Sequence, residues 1–101
     1  MLIYNVTIQV NRSIATQWLQ WMKQEHIPEV MQTGCFEKFQ MVKVLGTDES
    51  EGLTYAVQYY ASTQELLDRY LQEHTSMLRQ KSFEKWGDLF IAFRTIMEVV
   101  N

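Results

Sequence analysis

Few residues in this chain have chemistry to offer: two histidines, one cysteine and an arginine near the end of a largely apolar sequence. His26 continues the line Trp18, Met22, His26 at i, i+4 and i+8 and stands two residues before Pro28. A ring placed there lies near a helix end in partly apolar surroundings, where loss of solvation favours neutral imidazole, a usable general base. Its simpler role is a hydrogen bond to a backbone carbonyl freed by the proline. His74 falls on the apolar stripe of a second helical stretch, where an imidazole commonly closes a core by bonding a polar neighbour. Glu25 and Glu73, which precede the histidines, point away from these stripes and read as solvated. Adjacent helical residues diverge by about 100°, so a Glu-His pair cannot chelate one ion, and no His-x-x-x-His spacing occurs. Cys35 is the only cysteine, which excludes an intramolecular disulfide and leaves a metal without a second thiolate. There is no glycine-rich phosphate loop and no Ser or Cys arrangement with His or Asp that spacing supports. No metal and no cofactor are expected.

Arg94 is the most informative charge. Alternation along the last apolar run, Leu89 to Val100, sets Ile91, Phe93, Met97 and Val99 on one side and Phe90, Ala92, Arg94, Ile96 and Glu98 on the other. On that parity Arg94 shares the open face of a sheet with Asn5, Thr7 and Gln58. A guanidinium among apolar and amide groups needs a partner. Glu98, two residues along the same face of the strand, or a carboxylate across a dimer is the simpler partner; an anionic ligand gripped bidentately is the sharper one. Asn5, Gln58 and Arg94 are thus the candidate ligand-binding residues, with His26 or His74 at the mouth of the site.

The elements that must position these groups follow from periodicity. Leu2 to Val10 alternates strictly and predicts a strand. Ser13 is a candidate N-cap for a helix carrying Ile14, Trp18, Trp21 and Met22, with a break at His26 and Ile27 and a fresh turn through Pro28 to Met31, ended by Gly34. Residues 35 to 45 predict a second strand and 46 to 52 a solvated hairpin loop, followed by a third strand over Leu53 to Tyr60. Ser62 and Glu65 form a capping box for a helix with the stripe Leu67, Tyr70, Leu71, His74, Leu78 and Trp86, stopped by Gly87. The tripeptide Gln-Glu-His recurs at 24–26 and 72–74, late in each helical stretch, and makes two related βαβ halves. The order βαββαβ predicts an α+β, ferredoxin-like sandwich: a four-stranded antiparallel sheet, strands one and three central, both helices on one face. The other face then carries Ile3, Asn5, Thr7, Gln9, Ala56, Gln58, Tyr60, Phe90, Ala92, Arg94 and Ile96. That mixture of bulky apolar groups and amides suits an interface with a second copy better than it suits water.

At 101 residues the chain is expected to form one domain spanning 1–101. Nine Lys and Arg against twelve Asp and Glu give a formal charge of −3 with no basic run, which argues against nucleic acid. The third strand also lacks the basic residue and aromatic places of an RNA-recognition domain. No apolar stretch nears the roughly 18 residues needed to span a bilayer, and the N-terminus has no basic segment ahead of an apolar one. A cytoplasmic protein without a membrane partner is expected.

Four stretches together, Tyr-Asn-Val-Thr-Ile at 4–8, Glu-His-Ile-Pro-Glu-Val-Met at 25–31, Thr-Tyr-Ala-Val-Gln-Tyr at 54–59 and Ala-Phe-Arg-Thr-Ile-Met-Glu-Val at 92–99, resemble a bacterial family known as domain of unknown function 4286 over nearly the full length. The resemblance implies the fold of the dimeric α+β barrels and no established activity. Within that wider fold group, cofactor-independent monooxygenases and small isomerases place polar residues on the open sheet face and a histidine near a helix end. The chain lacks the Trp near the third strand that would suggest a heme-degrading relative. The expectation is therefore a homodimer through the open sheet face that binds or senses a small carboxylate or enolate-like metabolite in a cavity there. The alternative is a cofactor-independent enzyme with His26 or His74 as its base.

Overall fold

Alternation builds the sheet. The computed structural model describes residues 1–101, and in it β1 (Leu2–Asn11) buries Tyr4, Ile8 and Val10 on one side. β2 (Lys38–Lys43), β3 (Gly52–Ala61) and β4 (Phe90–Glu98) complete a four-stranded sheet in the order β2-β3-β1-β4, every neighbouring pair antiparallel. The two central strands are the first and third, as expected. β2 is shorter than the run 35–45 because Cys35 and Phe36 leave it to enter the core, where both are buried.

The helical layer is α1 (Ala15–Trp21), a π-helical segment (Met22–His26), α2 (Ile27–Gln32), α3 (Gln64–Glu73) and α4 (Thr75–Trp86). Its buried side chains Trp18, Met22, Ile27, Val30, Leu67, Tyr70 and Leu78 meet Tyr4, Ile8, Val10, Val57 and Tyr59 of the sheet in one core. Tyr4, Phe36, Tyr59 and Tyr70 form an aromatic cluster inside it, with Phe36 edge-on to Tyr70 at 4.8 Å between ring centres.

Four expectations about these elements are corrected. Pro28 does not break the helix; the chain instead widens by one residue ahead of it, and the Ile27 N–H donates to the Met22 carbonyl five residues back. The wide turn makes room for a ring that would clash with the preceding turn of a tighter helix. The second helix is not continuous: His74, at φ −122° and ψ −30°, separates α3 from α4. The Tyr70 carbonyl there accepts from both the His74 N–H at 3.0 Å and the Thr75 hydroxyl at 3.2 Å, a back-bond that bends the chain. Thr63, not Ser62, caps α3, its Oγ1 accepting from the Leu66 N–H at 3.2 Å. At α1 the anticipated cap also differs: Asn11 Oδ1 accepts from the Ser13 amide and hydroxyl, and Ile14 occupies the cap position without a side-chain bond.

The faces of β4 are the reverse of those expected. Val6 on the covered side of β1 pairs with Arg94, while Thr7 on the open side pairs with Phe93. Phe90, Ala92, Arg94 and Ile96 therefore turn toward the helices, and Ile91, Phe93 and Met97 stand on the open face. Alternation could not separate the two sets because both are apolar. β4 is an edge strand, so Ile96 and Arg94 stay exposed on the covered side, while Ile91 at 55% and Phe93 at 66% are exposed on the other.

Candidate functional site

A cavity of about 560 Å³ opens between the covered side of the sheet and the helices. Its floor includes Val6 and Ala92, which stay partly exposed under the helical layer, beside the buried Val57, Tyr4 and Tyr59. α1 and the π segment contribute Trp18, Trp21, Met22 and His26 above it, and α4 forms a side wall through Thr75, Arg79 and Phe83. Arg94 enters from β4 and Asp88 from the turn before that strand.

The π segment aims His26. Residues five apart in an α-helix diverge by about 140°, whereas the i to i+5 bonding of the wide turn brings them onto one side. His26 thus stacks on Trp21, ring centres 4.9 Å apart and planes 27° apart, and Trp86 meets Trp21 edge-on at 5.8 Å. Burial against these rings pulls the His26 pKa down to about 4; Glu29 opposes the shift, and the positive charges of Arg94 and Lys81 add to it. The imidazole is accordingly neutral at physiological pH. Glu29 is itself engaged by Lys81 at 2.8 Å, which links α2 to α4 over the histidine.

The lining also holds buried phenols. The Tyr59 pKa is raised by burial and by neighbouring Tyr70 and Tyr4. That of Tyr70 is also raised by burial, although the Arg94 charge works the other way. Both hydroxyls remain protonated donors, and the only tyrosine hydroxyl bonded within the chain is that of Tyr60, to Gln58 Oε1 at 3.5 Å. Arg94 acts on both His26 and Tyr70, so its guanidinium serves the cavity, yet it takes part in neither of the chain's ion pairs, Lys43–Glu49 and Lys81–Glu29. The expected pairing with Glu98 is not made: the two residues share one side of β4 but stand four positions apart, about 13 Å along an extended strand. The arrangement combines a neutral proton acceptor, an unpaired cation, phenol donors and aromatic walls. No group of three or more His, Cys, Asp or Glu is placed to hold a metal.

Of the residues singled out in the sequence, the structure brings His26 and Arg94 together and separates the rest. Asn5 and Gln58 face each other across β1 and β3 on the open side, with Gln40 of β2 beside Gln58. Asn5 Nδ2 donates to Thr7 Oγ1 at 3.0 Å. They do not line the cavity, which lies on the opposite side of the sheet from the face where it was anticipated. His74 sits at the break between α3 and α4, 6.2 Å from the Tyr70 ring, and is not part of the lining. Trp21, Tyr59 and Tyr70, which the sequence pattern assigns to the core, also line the cavity, together with Arg79 and Asp88, which it does not mark as site residues. The five-residue gap in the buried stripe between Met22 and Ile27 was the one signal that could have revealed the wide turn and, through it, Trp21 beside His26.

The strand order and the helices stacked on one side place the chain among ferredoxin-like α+β sandwiches of the dimeric α+β barrel class. A dimeric ferredoxin-like protein from an uncultured marine organism superposes with a TM-score of 0.74 at 11% identity, covering 99% of this chain and 95% of that one. An ethyl tert-butyl ether D (EthD) family protein from Bacillus halodurans gives 0.67 at 13% identity, covering 99% and 100%. SnoaB from Streptomyces nogalater, a cofactor-independent oxygenase, gives 0.68 at 6% identity, covering 99% and 94%. Likeness at such identities establishes the fold alone. No curated protein matches the sequence. Over residues 1–100 the chain matches the family described as domain of unknown function (DUF4286), and it belongs to that family.

Proposed function

We propose that the chain is a small-molecule-binding domain that takes an anionic ligand with an apolar body into the cavity beneath α1 and α4, and that it works as a homodimer. The observation that carries this reading is Arg94: a guanidinium at an aromatic-walled cavity, with no carboxylate partner, whose charge reaches both His26 and Tyr70. An anion against Arg94 would supply the missing countercharge and could accept from the Tyr70 hydroxyl. The open face supports the dimer, since it exposes Ile91 and Phe93 beside the uncharged row Thr95, Asn5, Gln58 and Gln40. Asn5 and Gln58 then serve the interface rather than the ligand. Dimeric relatives of the same fold agree with this.

Thermal unfolding with benzoate as the probe tests the ligand reading. Benzoate should raise Tm saturably in the parent, and Arg94→Met should abolish the rise. An unchanged Tm at millimolar benzoate, or an equal rise in the variant, refutes it. Light scattering tests the dimer: Phe93→Glu should halve the mass, and a parent that is monomeric at micromolar concentration excludes it.

A second reading, a cofactor-independent enzyme, is favoured by the neutral imidazole beside a cation. His26 could take a proton from an acidic C–H or O–H while Arg94 holds the resulting anion. The cofactor-independent oxygenase among the structural relatives makes this worth testing. His26→Ala should then abolish turnover while ligand-induced stabilisation persists.

A further inference from the structure

The polar side of the cavity holds a second cation that the monoanion reading leaves idle. Along α4, Thr75, Arg79, Ser82 and Phe83 recur at helical spacing and all line the cavity, so Arg79 lies in the middle of the helix face turned toward it. Arg94 comes from the edge strand of the sheet. The two guanidinium groups therefore approach one cavity from different walls, one carried by a helix and one by a strand. Neither is in an ion pair with the protein. Asp88 is the lone carboxylate in the lining, so two cations face one anion, with His26 neutral, in a chain whose formal charge is −3. An acidic protein that gathers unpaired arginines at one cavity concentrates positive potential there.

Resting on the ligand reading above, we propose that the cavity is built for a ligand with two separated acidic groups on a flat apolar body. One group sits at Arg94 under His26 and the other at Arg79 on α4. The aromatic surfaces of Trp21, Phe83 and Phe90, which line the cavity and are not fully buried, take the body between them. Arginine suits both ends because its planar fork binds a carboxylate through two parallel N–H donors. Arg79 is then the specificity-determining residue, since it separates diacids from monoacids of the same shape.

Calorimetric titration of the intact protein with benzoate and with the three benzenedicarboxylates, phthalate, isophthalate and terephthalate, decides the matter. A second charge-assisted contact should make at least one diacid bind about tenfold more tightly than benzoate. That diacid should also show the steeper loss of affinity with added salt. In Arg79→Met the ratio of diacid to monoacid affinity should collapse toward one. Arg79 is exposed and unpaired, so the variant is expected to fold, and Arg79→Lys should recover part of the ratio. If benzoate binds through Arg94 and no diacid binds better, the two-anion proposal fails while the ligand reading stands. It fails equally if the preference for a diacid survives Arg79→Met. If no acid binds at all, both are overturned.

Discussion

His26 should make the stability of this protein depend on pH in a window where few other groups titrate. An unfolded chain returns the imidazole to its ordinary pKa of 6.5, whereas the fold holds it at about 4. Between those values the unfolded chain binds a proton that the folded chain refuses, so acidification favours unfolding and stability rises with pH. The contribution is intact above pH 6.5 and erodes as pH falls below it. By linkage the loss is about 2 kcal/mol at pH 5 and levels off near about 3 kcal/mol below pH 4. Urea unfolding of the parent and of His26→Gln at pH 7.5 and pH 5 isolates the term, since the carboxylates titrate alike in both proteins. The parent should lose about 2 kcal/mol more than the variant between the two conditions. Parallel pH dependence in the two proteins would refute a buried, neutral His26 and, with it, the proton-accepting part of the site.

Other consequences can be checked with single changes. Gly52→Ala should destabilise by about 1–3 kcal/mol in denaturant titration, because a Cβ there would lie 2.6 Å from the Val10 carbonyl oxygen, a backbone atom that cannot step aside. Thr63→Ala should cost about 1 kcal/mol by removing the α3 cap, whereas Ser62→Ala should be near neutral in the same assay. Spectrophotometric titration at 295 nm should show the Tyr59 and Tyr70 phenolates appearing only as the protein unfolds. Their raised pKa values mean stability present below pH 10 is lost above it, and phenolate absorbance from all five tyrosines before unfolding would contradict this.

Much of the architecture was legible in the chain, and the misreadings share a physical cause. Alternation predicts β1 and β3 to within a residue at each end because one side of each meets the core and the other does not. β4 carries apolar groups on both sides: Phe90 and Ala92 face the cavity and Ile91 and Phe93 face outward, so parity has no polar reference and assigns Arg94 to the wrong side. The gap at His74 left no trace because Leu67, Tyr70, Leu71, His74 and Leu78 keep helical spacing across it, and a Thr hydroxyl is an ambiguous signal for a bend. His26 and Arg94 were singled out for sound reasons, the proline and the solitary charge. Their proximity was not legible, since it depends on the pairing of Val6 with Arg94 and on the helix widening before Pro28.

The wide turn also bears on how relatives of this chain should be aligned. Between Met22 and Ile27 the buried stripe advances by five residues where a regular helix would advance by three or four. The additional position is tied to the proline that follows, so a homologue without a proline there is expected to be one residue shorter in this interval. Its histidine counterpart would then be found only by placing a gap inside what looks like an unbroken helix. Alignments that forbid such a gap would pair His26 with its neighbour and score the position as variable.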